Sequence, residues 1–467
     1  MKSFDYRIAK NPAYWIVWLL AVLFLSAWAF ATDVDTLYEL YQVRDALSGT
    51  YVLTGNIDME DTNPATKPAA WDIGTTYSIG DMVTHTHTTT ERTYFSKVNG
   101  NVGNDPCDTD TTYWRVAWTT SEGWLPIGTD PSPFTGTVTG TGYTISNLYI
   151  SRSSTGYQGL FGRILNAGTG ATGLNVINAS VTGGDRTAIV IASCATAIAY
   201  CTSSGTVSGT NRTGGLVGIC TSTITSCSSS TTVGGTGDYV GGLVGYQAGN
   251  MTSCYATGAV TQTSATADYA GGLIGYLASG TVTKCYATGA VSVGDDNGGG
   301  FVGRVAGGTI TLCYATGNTS DGDYYSGGFA GSNYSTISNC YSKGSVTGTN
   351  EVSGFACANT GTITNCYSTG APTGATKSGF CHTNSGTVTL CYWDTTTSGI
   401  GTSTAGTGFA TAYMVTPYES GDDPPINPSK PYYGWGWGGN AWQTDPDNRN
   451  GGYPILGWKT PRAIIGH

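Results

Sequence analysis

A short motif that recurs with a cysteine downstream is the feature that most restricts how this chain can fold. It reads GGLVG at residues 241–245 and leads to Cys254, and it reads GGLIG at residues 271–275 and leads to Cys285. A period of 20 to 50 residues is typical of an array in which each unit stacks on the next. Related copies precede a series of cysteines that lie 25 to 31 residues apart: Cys201, Cys227, Cys254, Cys285, Cys313, Cys340, Cys366 and Cys391.

The composition of the repeats favours strands over helices. Glycine and β-branched residues dominate each unit, and both are poor in helix interiors. Only 11% of the chain is charged and 70 residues are glycine, whereas about 25% of an ordinary globular domain is charged. Short strands in windings of about 27 residues fit a solenoid. We therefore predict an all-β protein whose residues 119–400 form a right-handed parallel β-helix, of about ten coils in total.

The motif and its spacing resemble the GLUG motif of bacterial surface and secreted proteins. The resemblance covers most of residues 120–400. Residues 32–62 resemble the N-terminal cap of such proteins, with a helix over Asp35–Leu47 that begins at Asp35 and a strand over Tyr51–Met59. A cap is expected, because an open end coil exposes unpaired strand edges.

The last segment of the chain, residues 401–467, resembles the closing segment of GLUG-type proteins. It is rich in aromatic residues, and we predict that these side chains cover the open interior of the last coil. A sugar-binding aromatic patch is the alternative. The tryptophans concerned are Trp435, Trp437, Trp442 and Trp458.

Residues 1–31 have the features of an export signal. A basic start with Lys2 and Arg7 precedes an apolar run, and small residues end the segment at Ala29 and Ala31. The run over residues 11–31 is also long enough to remain as a membrane anchor. Either outcome places the rest of the chain outside the cytoplasm, secreted or at the cell surface.

Residues 63–118 interrupt the repeat register. Their order of aromatic residues, with Y-x-x-G-D-x-V between two tryptophans, resembles a small chitin- or cellulose-binding module, although Phe95-Ser96-Lys97 stands where that family carries paired tryptophans. The resemblance implies an independent β-domain that projects from the first coils and stacks on sugar rings. A β-insert that uses the same aromatics as its own core is the alternative. The candidate glycan-binding residues are Trp71, Tyr94, Phe95 and Trp114.

Alternation along the strand after each cysteine predicts two ladders. Cys254 and Ala256 face inward, so that Tyr255 faces outward. An apolar residue stands three positions before each cysteine, and this odd offset predicts a bend between the two. The outward ladder either binds glycans or stiffens the sheet by stacking. It consists of Tyr255, Tyr286, Tyr314, Tyr341 and Tyr367.

Further cysteines and carboxylates suggest two other kinds of site. Cysteines outside the ladder recur at near-equivalent positions and are candidates for disulfides: Cys194, Cys220, Cys357 and Cys381. Asp238, Asp268 and Asp296 each stand three residues before a Gly-Gly pair. They either hold calcium between coils or form Asx turns. No other metal or cofactor is predicted, because no zinc-ligand spacing occurs.

The pattern of charge and motifs favours a scaffold over a catalyst. A net charge of −10 argues against nucleic-acid binding. No H-E-x-x-H or G-x-S-x-G motif occurs, so we predict no catalytic residues. We expect an adhesive or structural surface protein that binds a polysaccharide or surface glycan. A self-assembling fibre of neighbouring copies and a polysaccharide-active enzyme are the alternatives.

Overall fold

A computed structural model of the protein describes most of the chain. The predicted export segment falls outside it, apart from residue 31, and no described helix is long and apolar enough to cross a membrane. The described residues are 31–87, 89–106, 112–165, 168–266, 268–320, 324–415, 431–432, 435, 437, 441–445 and 447–459.

The repeats wind into a right-handed parallel β-solenoid of about nine turns. Each strand of a coil pairs in parallel with the equivalent strand of the next coil, so that Cys220 lies beside Gln247 and Val244 beside Ile274. The predicted fold class is therefore confirmed, with about nine turns where the sequence predicted about ten.

Two of the parallel sheets run along the solenoid without interruption. The first sheet contains strands Thr32–Val34, Thr50–Leu53, Thr137–Thr139, Thr169–Thr172, Ala197–Ala199, Ile224–Thr225, Met251–Thr252, Thr281–Thr283, Thr309–Thr311, Thr336–Ser338, Thr362–Thr364 and Thr387–Thr389. The second sheet contains strands Phe161–Ile164, Ile191–Cys194, Val217–Cys220, Val244–Gln247, Ile274–Leu277, Val302–Val305, Ala330–Asn333, Ala356–Asn359 and Cys381–Asn384.

The remaining faces carry a short-stranded third sheet and a broad fourth sheet of two adjacent columns. The third contains Thr187–Ala188, Thr213–Gly214, Val240–Gly241, Ala270–Gly271, Gly298–Gly299, Ser326–Gly327, Glu351–Ser353 and Thr376–Ser378. The fourth contains Ile57–Asp58, Thr144–Ser146, Tyr149–Ser151, Asn175–Thr182, Thr202–Gly209, Ser228–Ser229, Thr232–Gly235, Tyr255–Ala256, Val260–Gln262, Tyr286–Ala287, Val291–Ser292, Tyr314–Ala315, Thr319–Ser320, Tyr341–Ser342, Val346–Thr347, Tyr367–Ser368, Pro372–Thr373, Tyr392–Asp394 and Thr407–Phe409.

The Gly-Gly pair of each motif is a packing requirement of the corner between the third and second sheets. A Cβ atom on Gly241 would lie 2.0 Å from the carbonyl oxygen of Val244, and one on Gly242 would lie 2.1 Å from that of Gly272. Backbone approaches this close exclude any side chain. The motif therefore lets the chain turn tightly and stack closely on the next coil.

The predicted bend before each cysteine is confirmed. The residue that precedes the cysteine has a positive φ in coil after coil, for example 56° at Ser253. This left-handed conformation turns the chain between two strands, so that Met251 and Cys254 both reach the core despite their odd spacing. The residues concerned are Tyr200, Ser226, Ser253, Lys284, Leu312, Asn339, Asn365 and Leu390.

The eight cysteines of the series form the predicted interior ladder, and all of them are buried. The backbone N–H of Cys254 donates to Sγ of Cys285 at 3.3 Å. All twelve described cysteines are free thiols, so the disulfides predicted for Cys194, Cys220, Cys357 and Cys381 are wrong. Cys194 and Cys220 are neighbours in register, but side chains stacked in parallel do not point at one another. The partner of Cys381 is Ala356 rather than Cys357.

The helix of the N-terminal cap is shorter than predicted. It spans Leu37–Gln42 and continues as a 3₁₀ turn over Val43–Asp45. The cap residue is Thr36 rather than Asp35, because Thr36 forms a capping box with Glu39. The predicted strand over Tyr51–Met59 is two strands that belong to different sheets, and a further 3₁₀ turn follows at Glu60–Thr62.

The insert is a three-stranded antiparallel sheet of Met82–His87, Thr90–Ser96 and Trp114–Thr119. One face of this sheet packs on the N-terminal helix, where the ring centres of Phe95 and Tyr41 lie 5.1 Å apart. Phe95 and Trp118 therefore belong to the same core as the solenoid. The insert does not project independently, contrary to the prediction, and instead acts as part of the N-terminal cap.

The C-terminal segment closes the solenoid and then folds back along it. Trp393 and helix Thr395–Ser398 lie at the last coil, where Trp393 Nε1 donates to the Ile400 carbonyl at 2.9 Å. A helical turn over Thr411–Met414 follows. Strands Trp442–Gln443 and Ile455–Leu456 then pair in antiparallel fashion, and a 3₁₀ turn spans Gly457–Lys459.

Candidate functional site

The insert does not offer the glycan-binding faces that the sequence predicted. Tyr94 and Phe95 are fully buried, and Trp114 is only 1% exposed. Tyr94 and Trp114 pack with Tyr77 in the insert's own core, and the half-buried Trp71 joins them. The assignment of Tyr94, Phe95 and Trp114 to sugar stacking is wrong, and the alternative of an internal core is confirmed for Tyr94 and Trp114. The assignment of Trp71 stays a prediction.

The predicted outward tyrosine ladder is present and closely stacked. Ring centroids of successive members lie 4.8 to 5.1 Å apart, with planes inclined by 6° or less. Tyr255 is 37% exposed, whereas Tyr341 and Tyr367 are fully buried. The ladder stiffens the sheet by stacking, and its exposure falls along the solenoid.

The aromatic C-terminal segment, here called the C-terminal cover, causes this burial. It comprises the described residues from 431 to 459 and lies on the outside of the ladder. The indole N–H groups of Trp435, Trp442 and Trp458 donate to Leu390 O, Asn339 Oδ1 and Leu312 O at 2.8, 3.0 and 2.9 Å. The prediction that these tryptophans cover the open interior of the last coil is wrong. Their partners lie in successively earlier coils, so the cover runs back along the outside of the solenoid.

The acidic corner residues bond to the backbone of the adjacent coil. Oδ1 of Asp238 accepts from the N–H of Asp268 at 3.0 Å, and Oδ1 of Asp296 accepts from the N–H of Tyr324 at 3.0 Å. Burial and the neighbouring carboxylates raise the pKa of Asp268. Across the described part of the chain, no group of three or more His, Cys, Asp or Glu residues is placed to hold a metal ion. These contacts make the column a structural seam between coils.

A second tyrosine array was not predicted. Its tyrosines lie before and after two of the Gly-Gly motifs, those at residues 241–245 and 271–275. Tyr239 and Tyr269 immediately precede the third-sheet strands, with φ of 62° and 70°. Tyr246 and Tyr276 lie in the second sheet and pair in register. We name this array, together with Arg304 and Tyr334, the tyrosine–arginine strip.

The rings of the strip form a herringbone. Tyr239 stacks on Tyr269 at 5.6 Å, and Tyr246 stacks on Tyr276 at 5.4 Å, each pair within 8° of parallel. Between the columns, Tyr239 meets Tyr276 edge to face at 4.9 Å. Edge-to-face and stacked contacts both stabilise aromatic pairs, so these half-buried rings form a stable outer surface.

Arg304 takes the next second-sheet position after Tyr276 and extends the strip. Its guanidinium carbon lies 4.2 Å from the ring centre of Tyr334, and its Nη1 donates to the Tyr269 hydroxyl at 2.7 Å. Burial lowers the pKa of Arg304, but the hydrogen bond and the nearby phenols outweigh it, so that the net shift is upward. The guanidinium therefore remains a cation, and Tyr334 is 46% exposed beside it.

The strip combines groups that suit hydroxylated ligands. It offers phenol hydroxyls, a fixed guanidinium and an exposed aromatic ring on one surface that extends over neighbouring coils. Burial raises the pKa of Tyr239 and Tyr269, so their hydroxyls stay protonated and can donate. The sequence carries a signal for this site: tyrosines flank the motif on both sides in YVGGLVGY at 239–246 and YAGGLIGY at 269–276.

Comparison with known proteins agrees with the repeat assignment. Residues 236–261, 266–292 and 322–347 match the GLUG motif. Three repeats of this β-solenoid therefore carry the GLUG motif. Over 93 residues, which are 19% of this chain, it is 38% identical to halomucin from Haloquadratum walsbyi, and the match covers 1% of that protein's length.

The chain has a weak likeness to one solved structure. It is the crystal structure of a "putative immunoglobulin A1 protease" from Bacteroides ovatus, which aligns over 92% of this chain and 93% of its own at 15% identity, with a TM-score of 0.37. At that score the likeness says nothing about the activity of this chain.

Proposed function

We propose that the protein is a non-catalytic, exported β-solenoid that binds glycans through the tyrosine–arginine strip. The observation that carries the proposal is the geometry of Tyr239, Tyr276 and Arg304 with their neighbours. Here a fixed cation and phenol hydroxyls converge on an exposed face that the solenoid fold does not itself require. The role is adhesive or structural, with a polysaccharide or surface glycan as the partner.

The chemistry of a glycan matches the strip. Sugar rings present apolar C–H faces, which pack on aromatic rings, and hydroxyl rims, which pair with groups such as Arg304 and the tyrosine hydroxyls. The carboxylates of Asp238 and Asp268, one residue before the strip tyrosines, add acceptors for sugar hydroxyls. A strip that runs across neighbouring coils suits an extended polymer better than a small ligand, which is normally enclosed in a pocket.

Two features support a place outside the cell. The first 31 residues have the pattern of an export signal, and the chain shares a 93-residue similarity with halomucin, a mucin by name. A surface location would bring the strip into contact with extracellular polysaccharides.

The proposal is tested by binding of the full chain to a panel of soluble and insoluble polysaccharides. The double variant Tyr239→Ala, Tyr276→Ala should weaken binding at least tenfold, about 1.4 kcal/mol. Tyr200→Ala is the matched control, because Tyr200 is 62% exposed and also has a positive φ but lies outside the strip. Its affinity should equal that of the wild type.

Three results would contradict the proposal. Binding that survives the double variant would remove the strip from the site. Release of reducing ends from a bound polysaccharide would show an enzyme. Filaments of the purified protein in electron micrographs, without glycan binding, would favour a fibre subunit.

A further inference from the structure

One lysine of the solenoid lies against one asparagine of the C-terminal cover. Lys343 follows strand Tyr341–Ser342 on the outer face. Its Nζ lies 3.2 Å from Oδ1 of Asn450 and 3.2 Å from the backbone oxygen of the same residue. The Tyr453 ring lies below the ammonium, with its centre 5.8 Å away. Lys343 is thus held with its amine directed at the Asn450 side chain.

The amide of Asn450 is buried and fixed in one orientation. The residue is 4% exposed, and its Nδ2 donates to the hydroxyl of Tyr367 at 2.6 Å and to the carbonyl of Pro454 at 3.0 Å. These two acceptors hold the nitrogen of the amide on the side away from Lys343. The carbonyl side of the amide therefore faces the amine, and Cγ lies one bond beyond the Oδ1 atom that Nζ contacts. Holding the two reacting groups side by side in this way favours their reaction.

Asp445 fixes the turn that carries Asn450. Its carboxylate accepts from the N–H groups of Arg449, Asn450 and Gly452 at 2.8, 2.5 and 3.1 Å. Its negative charge also raises the pKa of Lys343 across the interface, against the larger effect of burial, which lowers it. The lysine amine, the amide, a carboxylate and a phenol are thus assembled where the cover meets the ladder.

We propose that Lys343 and Asn450 join in an intramolecular isopeptide bond. The unprotonated Nζ attacks Cγ of Asn450, and a new C–N bond forms while the carbonyl π electrons move to Oδ1. The carbonyl then re-forms, and the bond from Cγ to Nδ2 breaks. The proton lost by Nζ passes to Asp445, and the departing nitrogen takes a proton from the Tyr367 hydroxyl. The proton on Asp445 then returns to the Tyr367 oxygen, so that both groups regain their starting states. The products are one secondary amide and one ammonia, and no oxidant is needed.

The surroundings favour the first step. Burial lowers the pKa of Lys343, and the nearby Asp445 opposes this only in part, so the neutral amine is more populated than on a free lysine. Burial also raises the pKa of Tyr367, so its hydroxyl is protonated and can donate. A bond here would join two residues that are 107 positions apart in the sequence. It would fasten the cover onto the tyrosine ladder.

The experiment is intact-mass measurement of the full chain, followed by tandem mass spectrometry of its proteolytic peptides. We expect a mass lower than that of the sequence by one ammonia, and a branched peptide that joins Lys343 to Asn450. A full sequence mass with both residues recovered in linear peptides would overturn the proposal.

The variant Lys343→Arg controls for a competing reaction. Asn450 precedes Gly451, and an Asn-Gly pair can also lose ammonia by closing a succinimide with its own backbone. A succinimide would persist in Lys343→Arg and would give no branched peptide, and that outcome would overturn the proposal. If the isopeptide bond forms, Lys343→Arg and Asn450→Ala both keep the full mass expected from their sequences.

Discussion

The tyrosine ladder and the tyrosine–arginine strip are built from the same residue on the same solenoid, yet they end in different environments. In the ladder, one tyrosine per coil stacks in a single column, and Tyr341 and Tyr367 are completely buried. In the strip, two columns of two tyrosines meet edge to face, and every ring remains partly accessible. The sequence pattern of the ladder is the longer and more regular of the two, but its members from Tyr314 onward are buried, whereas all four strip tyrosines are half-buried.

The difference shows that an outward position in a repeat does not by itself make a surface. The ladder is covered because the C-terminal cover packs on it. The indole groups of the cover donate hydrogen bonds to the bends beside the ladder, as Trp435 does to the carbonyl of Leu390, 45 residues earlier in the chain. In the strip, Arg304 stands in the next coil where the column of Tyr246 and Tyr276 would place a third tyrosine. The described part of the cover does not contact the strip. Under the proposed function, the covered part of the ladder contributes stability and the strip supplies recognition.

Loss of the central tryptophan of the cover should have the largest effect. Trp442 is fully buried and lies 5.8 Å from the ring of Tyr367. We expect Trp442→Ala to cost the cover about 3–5 kcal/mol, as large-to-small changes of buried aromatics do. Limited proteolysis should then cleave residues 431–459 rapidly while the repeats stay intact. A cover that resists cleavage as in the wild type would show that Trp442 does not hold it.

Alkaline pH should release the cover while the repeats retain their strands. Burial raises the pKa of Tyr392 from 10.0 to about 12, and it also raises the pKa of Tyr341 and Tyr367 well above the usual value. Because the folded state keeps these protons longer than the unfolded chain, their contribution to stability is complete below about pH 10, and the contribution of Tyr392 is lost as the pH rises through about 12. Tyrosinate absorbance should therefore rise in one cooperative step together with loss of near-ultraviolet circular dichroism.

The control for this titration is Trp442→Ala, whose ladder should ionise at lower pH. Equal titration curves for the two proteins would mean that the cover does not protect the ladder tyrosines.

A conservative change within the strip should have the smallest effect. Arg304→Lys keeps the charge but loses the planar stack on Tyr334, which is worth about 0.5–1 kcal/mol at an exposed site. Glycan affinity should fall about two- to fivefold, as measured by affinity electrophoresis, with unchanged circular dichroism. An affinity equal to that of the wild type would assign recognition to the tyrosines alone.

Much of the solenoid could be predicted from local pattern. The spacing of the GGLVG motif and Cys254 identified the coil, and the odd offset of Met251 identified the bend that Ser253 makes. The residues of the insert could not be placed in the same way. Tyr94 and Trp114 have the identity and order expected of a binding face, but whether an aromatic ring is exposed depends on what packs against it.

The repeat period, the inward cysteines and the outward tyrosines follow from the amino-acid sequence itself, since each is a consequence of strand alternation and coil-to-coil register. Which outward side chains reach solvent was decided only in the tertiary structure. The packing of Phe95 on Tyr41, the return of Trp442 to Tyr367 and the meeting of Lys343 with Asn450 join residues 54 to 107 positions apart. No periodicity encodes such contacts, because at least one partner in each lies in a segment that does not repeat.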